Sequence, residues 1–408
     1  MRGGDMNVIT NVRVVMLALA ICATACERTG VTADSSEAAT HTYYIAADEV
    51  EWDYAPTGIN QLTGEAFDSV AAIAVGNGPH RIGRVYRKAL YREYTDESFT
   101  ELKPRSPDWE HLGFLGPLIR GEVGDTLRVV FRNNSRFPAS VHPHGVLYDK
   151  NSEGAPYLDG TGDRDKHDDG VPPGATHTYV WPIPDRAGPG GHDPSTILWM
   201  YHSHVEEEKD VNAGLTGPML VSRSGTLGPD GKPKDVDREF VVAFAEVDEN
   251  LSWYLEENYR ERAASPDEVT IVRAGRFGGV DVTASDGSGA EQEVDDSNFK
   301  ETMNGFVFGH LPGLTIQVGE RVRWYLMSST NFEFHSPHWH GNTVSIEGMN
   351  TDVAALLPMG MLTAEMTPDN PGTWLFHCHV GPHQRLGMSA IYTVQPAEVE
   401  PMVTRAAR

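Results

Sequence analysis

Cysteine is scarce in this chain of 408 residues: there are 3, and two of them, Cys22 and Cys26, lie near the N-terminus. The remaining Cys378 has no partner for an intrachain disulfide, so the body of the protein must be held by its core. Positive charge is also short, with 33 Lys and Arg against 58 Asp and Glu and a formal net charge of -25. That surface repels a phosphate backbone, which excludes nucleic acid as a partner. The longest apolar run, Val14 to Cys26, covers 13 residues and is too short to cross a bilayer as a helix. Helical periodicity is nearly missing; one stretch, Glu246 to Ala264, rich in Glu and aromatics, is its candidate. What is plentiful is turn-forming residue, 41 Gly and 26 Pro, and histidine, at 17. With 39% apolar residues, the composition excludes overall disorder and suits well-cored domains of short strands.

Arg2 and Arg13 precede the apolar run, and Ala23-Thr24-Ala25-Cys26 closes it with small residues. Residues 1–26 therefore read as a secretory leader, similar to a bacterial lipobox except that Ala23 stands where Leu is usual. Two outcomes stay open, a lipid anchor on Cys26 or plain cleavage nearby; both place the protein in the periplasm or outside the cell. Residues 27–40 read as a flexible linker and 399–408 as a tail.

The rest repeats itself. Leu118–Asn133 is echoed by Leu314–Ser329, each a Gly-acid turn leading into a strand. A His-x-His-Gly follows each, at His142/His144 and His338/His340; then comes a Trp and a second His-x-His, Trp199 before His202/His204 and Trp374 before His377/His379. This common order marks a duplicated domain. The boundaries are 41–222 and 238–398, joined by a Gly/Pro/Lys/Asp-rich linker at 223–237. The expected fold class is all-β, with two β-sandwiches. Asp281 to Asn298 reads as a solvated acidic loop.

Side chains alternate faces along a strand. If His377-Cys378-His379 is extended, its two imidazoles share one face and the thiolate points to the other. By the same parity His338 and His340 can join His377 and His379, whereas His335 can join Cys378. His383 and Met388 follow Cys378 closely enough for a short turn to return both to it. Two imidazoles, a thiolate and a weak thioether make a blue-copper electron-transfer site, so His335, Cys378, His383 and Met388 are the expected type 1 copper ligands. Met388 as axial ligand implies a moderate potential. Eight clustered histidines remain, the number a trinuclear copper centre takes.

In these motifs the chain resembles the multicopper oxidases over nearly its whole mature length. Val50–Pro56, Trp109–Pro117, Val141–Tyr148 and Asp248–Leu255 make it most similar to the ceruloplasmin and hephaestin branch. The resemblance implies cupredoxin-like Greek-key β-sandwich domains and four copper ions per chain. It implies oxidation of a small reductant coupled to reduction of dioxygen to water, with Cys378, His377 and His379 conducting electrons from type 1 copper. Carried over residue by residue, His142 and His338 look like type 2 ligands, and His144, His202, His204, His340, His377 and His379 like type 3 ligands. Similar two-domain relatives, with type 1 copper in the second domain, close into trimers that enclose each trinuclear cluster between subunits; a homotrimer is expected here too.

Departures bear on the reductant. Ser203 stands where the second half has Cys378, so the first half should lack type 1 copper. The acid that precedes the second type 1 histidine in ferroxidases is here Pro382, which weakens an Fe(II) reading against phenols or Cu(I). Glu333 shares the parity of His335 and is a candidate for orienting substrate or accepting a proton. Tyr148, four residues after His144, is a candidate for hydrogen bonding or electron donation, or is packed in the core. Met349, Met359, Met361 and Met366 could bind Cu(I) or pack in the core or rim. His41, His80, His111, His167, His177, His192 and His310 lack ligand spacing and read as structural or exposed. A copper nitrite reductase would carry its type 1 cysteine in the first domain, and a non-catalytic cupredoxin module would have no use for ten clustered histidines.

Overall fold

A computed structural model describes residues 38–273, 280–284, 289–329 and 333–397; the leader and most of the tail lie outside the described residues. The first half contains β1 (Thr40–Asp53), β2 (Val85–Tyr94), β3 (Ile119–Glu122), β4 (Thr126–Asn133), β5 (His142–Pro143), β6 (Thr176–Pro182), β7 (Thr196–His202) and β8 (Thr216–Ser222), with helices α1 (Ala71–Val75) and α2 (Glu207–Ala213). The second half begins with β9 (Arg238–Asp248), α3 (Leu255–Arg262), the hairpin β10 (Val269–Arg273) and β11 (Val280–Ala284), α4 (Ala290–Asn298) and β12 (Phe299–Met303). It continues through β13 (Thr315–Gln317), β14 (Val322–Ser328), β15 (Pro337–Trp339), β16 (Val344–Ile346), β17 (Met349–Thr351), β18 (Met361–Met366), β19 (Gly372–Cys378), α5 (Gly381–Arg385) and β20 (Ser389–Gln395).

The duplication is visible strand by strand. The sheet β2-β1-β4-β6 corresponds to β12-β9-β14-β18, extended by β16 and β17, and β3-β8-β7-β5 corresponds to β13-β20-β19-β15. In both halves the Gly-acid turn enters a strand that pairs in parallel with the first strand of that half, β4 with β1 and β14 with β9. Each half encloses its own core between its two sheets, around Phe131, Tyr179 and Trp181 in the first and Trp324, Trp339 and Phe376 in the second.

The halves share further apolar clusters. Leu90, Phe114, Met200 and Leu220 of the first pack with Val241, Ala245, Tyr325 and Met327 of the second. This explains why alternation along the sequence is only partial: β8 and β14 are buried at every position, because one face fills a sandwich and the other meets the neighbouring half. Asn304 fastens the seam. Its amide donates to the carbonyls of His111 and Val241, at 2.5 and 2.8 Å, and its oxygen accepts from Ala243 N–H at 2.6 Å. His111 accepts Val241 N–H at 3.0 Å, and burial pushes its pKa down to about 4, so it stays a neutral acceptor. Lys88 of β2 meets Glu249, just after β9, at 2.5 Å with both side chains fully buried.

Two sequence expectations need correction. The region from Glu246 to Ala264 is not one helix: Glu246–Asp248 belong to β9, and only Leu255–Arg262 is helical, since sheet pairing and burial override the Glu-rich local preference. Asp281–Asn298 is not a plain solvated loop, because it holds β11 residues and α4, whose Val294, Ser297 and Asn298 are buried. The methionine segment follows its packing alternative: Met366 is core, Met359 and Met361 pack on the seam between the halves, and Met349 is exposed.

Candidate metal centre

Each His-x-His-Gly turn is shaped by the Trp that follows it. Gly145 has φ +80°, and a Cβ there would lie 2.4 Å from the Trp199 ring; Gly341, at φ +76°, stands in the same relation to Trp374. Only glycine fits this left-handed turn beneath an indole. In β5 and β7 His142 pairs with His202, and in β15 and β19 His338 pairs with His377. Cross-strand neighbours share a face, and the second histidines of each motif close around them.

In the first half His142 lies 5.6, 5.6 and 5.3 Å, ring centre to ring centre, from His144, His202 and His204. In the second, His338 lies 4.8, 5.2 and 5.2 Å from His340, His377 and His379. The Nδ1–H groups of His142 and His338 donate to the carbonyls of Glu153 and Asp352 at 2.6 and 2.8 Å, those of His202 and His377 to Ser203 and Cys378 at 3.1 and 2.8 Å. Fixed in this way, the free Nε2 lone pairs converge: His144 and His202, like His340 and His377, bring theirs to 3.1 Å. Burial, then the neighbouring imidazoles, pushes His144 and His377 down to about 4 and His202 to about 3. Neutral imidazoles held by second partners in this manner are set up to ligate a metal. Among the described residues no ring contact or hydrogen bond joins the histidines of one half to those of the other.

On the opposite face of β19, Cys378, His335 and His383 bring their donor atoms within 4.8 Å of one another, all three buried. His335 is held by reciprocal backbone bonds with Leu356. Cys378 N–H donates to the Met388 carbonyl at 3.1 Å, and Met388 N–H to that of His383 at 2.9 Å; α5 is thus the short turn that returns both residues. The Cys378 Sγ to His383 Nδ1 distance is 3.6 Å, and Ser336 N–H points at Sγ from 3.3 Å. The fit to a metal rests on His335. It is 1% exposed and neither ring nitrogen has a hydrogen-bond partner, an arrangement that is costly unless something else takes a lone pair. With the Cys378 thiol and the buried Met388, the donor set suits copper.

The first half has closed the equivalent position. Ser140 N–H donates to Ser203 Oγ at 3.0 Å, as Ser336 does to Cys378, but Ser203 then donates to Asp210 Oδ2 at 2.7 Å. Trp253 Nε1–H and the amides of Val205 and Glu206 complete the ring around that buried carboxylate. Cys378 is the free cysteine among the described residues.

Sequence reasoning passed over two acids. Glu246 of β9 and Glu301 of β12 are direct cross-strand partners, and together with His383 they place one donor atom each within 4.8 Å. Glu301 Oε2 is 3.9 Å from His383 Nδ1, buried and without a hydrogen bond. Burial, then the Glu246 and Glu333 charges, pushes Glu301 up to about 9. Glu333 thus contributes charge to this group. A signal was available, since Glu246 interrupts the apolar run Phe240–Val247 where a solvated acid has no place. Tyr148 packs against the first core and meets His142 edge-on at 5.9 Å. Of the histidines without ligand spacing, His41, His177 and His310 bond to Asp125, the Asn151 carbonyl and the Val307 carbonyl.

Two cupredoxin sandwiches, with a cysteine–histidine site in the second and a four-histidine cluster in each, define the architecture of the multicopper oxidase class. Two family models described as multicopper oxidase match residues 112–225 and 288–398, and the chain belongs to the multicopper oxidase family. It is 43% identical to mouse ferroxidase HEPHL1 over 361 residues, 88% of this chain and 29% of that protein. It is 39% identical to human hephaestin over 373 residues, covering 90% and 30%, and 41% identical to human ceruloplasmin over 363 residues, covering 86% and 32%. The chain therefore spans about a third of the length of these relatives. Among solved structures, a blue copper oxidase from Nitrosomonas europaea superposes with a TM-score of 0.53 at 17% identity, covering 90% of this chain and 89% of its own.

Proposed function

We propose that this chain is a ferroxidase-type multicopper oxidase that oxidises Fe(II) to Fe(III), one electron at a time, and reduces dioxygen to water. The observation that carries the iron reading is the Glu246–Glu301–His383 group. Two carboxylates directly opposite on neighbouring strands repel each other, and a divalent cation offsets that repulsion with the hard oxygen donors it prefers. These acids answer the doubt raised by Pro382, because they reach His383 from β9 and β12 instead of from α5. Glu333 adds negative charge at the rim and favours a cationic substrate over a phenol.

His335, Cys378, His383 and Met388 would hold type 1 copper, His142 and His338 type 2 copper, and His144, His202, His204, His340, His377 and His379 the type 3 pair, four ions per chain. Bound copper supplies one-electron transfer at the first position and four-electron dioxygen reduction at the second. Cys378 is joined by single peptide links to His377 and His379, so the thiolate and two cluster ligands are covalently continuous. His383 Nδ1 faces both groups, 3.6 Å from Cys378 Sγ and 3.9 Å from Glu301 Oε2, so the acids lie beside the residues that would hold type 1 copper. Tyr148 positions His142 through its edge-on ring. Comparing turnover of Fe(II), Cu(I) and a simple phenol under air tests the reading. Fe(II) is expected to give the highest kcat/KM, and a preference for the phenol would sink it.

The two four-histidine faces belong to different halves and no ring contact or hydrogen bond joins them among the described residues, which supports a homotrimer in which the first half of one copy faces the second half of the next. Exposed apolar residues flank both faces: Leu147 and Leu158 in the segment carrying Glu153, and Val353 and Leu357 beside Asp352 and Leu356, the kind of rim an interface covers. His144→Ala and His340→Ala variants, each inactive alone, are expected to regain turnover when unfolded together and refolded as mixed trimers, since some interfaces then pair two intact faces. A fully active monomer with full copper content would remove this assembly. The leader supports export to the periplasm or outside the cell, with Cys26 as the site either of a lipid anchor or of nearby cleavage.

A further inference from the structure

The His202–His204 pair of the first half is anchored differently from its counterpart in the second. In both halves the strand that carries His-x-His runs into a short helix, β7 into α2 and β19 into α5. From α5, His383 brings Nδ1 to 3.6 Å from Cys378 Sγ. From α2, Asp210 brings a carboxylate to the Ser203 hydroxyl at 2.7 Å, and both residues are fully buried. Gly214 lets the helix stop just after it: at φ +116° the backbone is left-handed, and a Cβ there would lie 2.5 Å from Leu90, so glycine alone serves.

Asp210 holds more than one neighbour. Its Oδ2 accepts from the Ser203 hydroxyl and from the amides of Val205 and Glu206 at 3.0 and 3.1 Å, and its Oδ1 accepts from Trp253 Nε1–H at 2.8 Å. Its own carbonyl accepts Leu215 N–H at 3.0 Å, and the Leu215 carbonyl accepts Ser203 N–H at 3.0 Å, which closes a ring of bonds through residues 203, 210 and 215. The two histidines hang on that ring. The Ser203 carbonyl takes the Nδ1–H of His202 at 3.1 Å and so sets the orientation of the imidazole. His204 lies between the tied residues Ser203 and Val205, with its own N–H on Ser140 Oγ at 3.0 Å. In the second half the Ser336 and Val380 amides are directed at the Cys378 sulfur instead.

We propose that Asp210 is a positioning residue for the type 3 copper pair: through Ser203 it orients His202, and through the Val205 and Glu206 amides it fixes His204, a task that falls to the Cys378–His383 site in the second half. The inference rests on the oxidase reading given above. Groups that orient metal ligands from behind affect metal affinity or activity by about 10- to 100-fold when removed.

Asp210→Asn keeps the shape of the side chain but makes one of its two acceptor atoms a donor, so at least one of the four donors loses its partner. In the copper-loaded, assembled protein the near-ultraviolet absorption of the type 3 pair is expected to weaken. Extraction of copper by a chelator should be about tenfold faster, and reoxidation of the reduced protein by dioxygen about tenfold slower, while the blue absorption and the type 1 potential stay as in the parent. Asn212→Ala, on the same helix, removes the acceptor of Asp248 N–H at 2.9 Å and should lower the melting temperature without moving any of these readings. Ser203→Ala cuts the link to Asp210 with no change of charge; it should act in the direction of Asp210→Asn, and it decides the matter if Asp210→Asn does not fold. Extraction and reoxidation within twofold of the parent in the deciding variant, or equal losses in Asn212→Ala, would overturn the positioning role and leave the oxidase reading standing. A parent protein that takes up type 1 copper alone would overturn both.

Discussion

Cys378→Ser is expected to abolish the blue absorption and lower oxidase turnover by about a thousandfold or more, with loss of the type 1 copper and no loss of fold. The first half of the chain shows why the fold should tolerate it. Ser203 occupies the matching place at the end of β7, takes the same backbone N–H from Ser140 that Cys378 takes from Ser336, and sits fully buried. Serine supplies no thiolate, so the soft donor of the site and the covalent conductor to His377 and His379 are lost together. Copper analysis, absorption and circular dichroism on one preparation check all three expectations. Turnover within tenfold of the parent would mean that electrons enter without Cys378, and the assignment of the site would fall.

The second large effect concerns the reductant. Glu301→Gln is expected to raise the KM for Fe(II) about tenfold or more while leaving oxidation of a phenol unchanged, and Glu246→Gln/Glu301→Gln should go further. The same change should stabilise the protein. Glu301 has a pKa pushed up to about 9 by burial and by Glu246 and Glu333, so the folded state holds a proton that the unfolded chain releases. Metal-free protein therefore loses stability as pH rises from the ordinary carboxylate range toward 9, and the glutamine variant, with no charge to bury, should lose less. Thermal melts at several pH values and paired kinetics with Fe(II) and a phenol separate the outcomes. An Fe(II) KM that does not move would remove the acids from the substrate's path.

Much of the site was legible because it obeys strand parity. One alternation rule sorts His335 with Cys378 and His338 with His377, and the pairings His338–His377 and His142–His202 in the folded chain follow that sorting. The two acids were not legible in that way. Glu246 and Glu301 belong to strands separated by α3, the β10–β11 hairpin and α4, and nothing local announces that β12 will pair with β9 in the register that sets them opposite. The acid of a local motif before His383 is replaced by Pro382, whereas the carboxylates near His383 come from the tertiary pairing of β9 with β12. The α4 segment was obscured for a related reason. Its acids and glycines suggest a solvated loop, whereas Ala290 and Val294 find apolar partners in a cluster that includes α1 of the other half.

The seam between the two halves has a geometric consequence. Asn304, His111 and the fully buried strands β8 and β14 join the two halves as arms that each carry one four-histidine face. In a closed ring, the angle between those arms determines how far each copy is turned from the last, and hence how many copies complete the circle. The count of subunits would then be written not at the surfaces that touch, but in a buried asparagine and the residues around it.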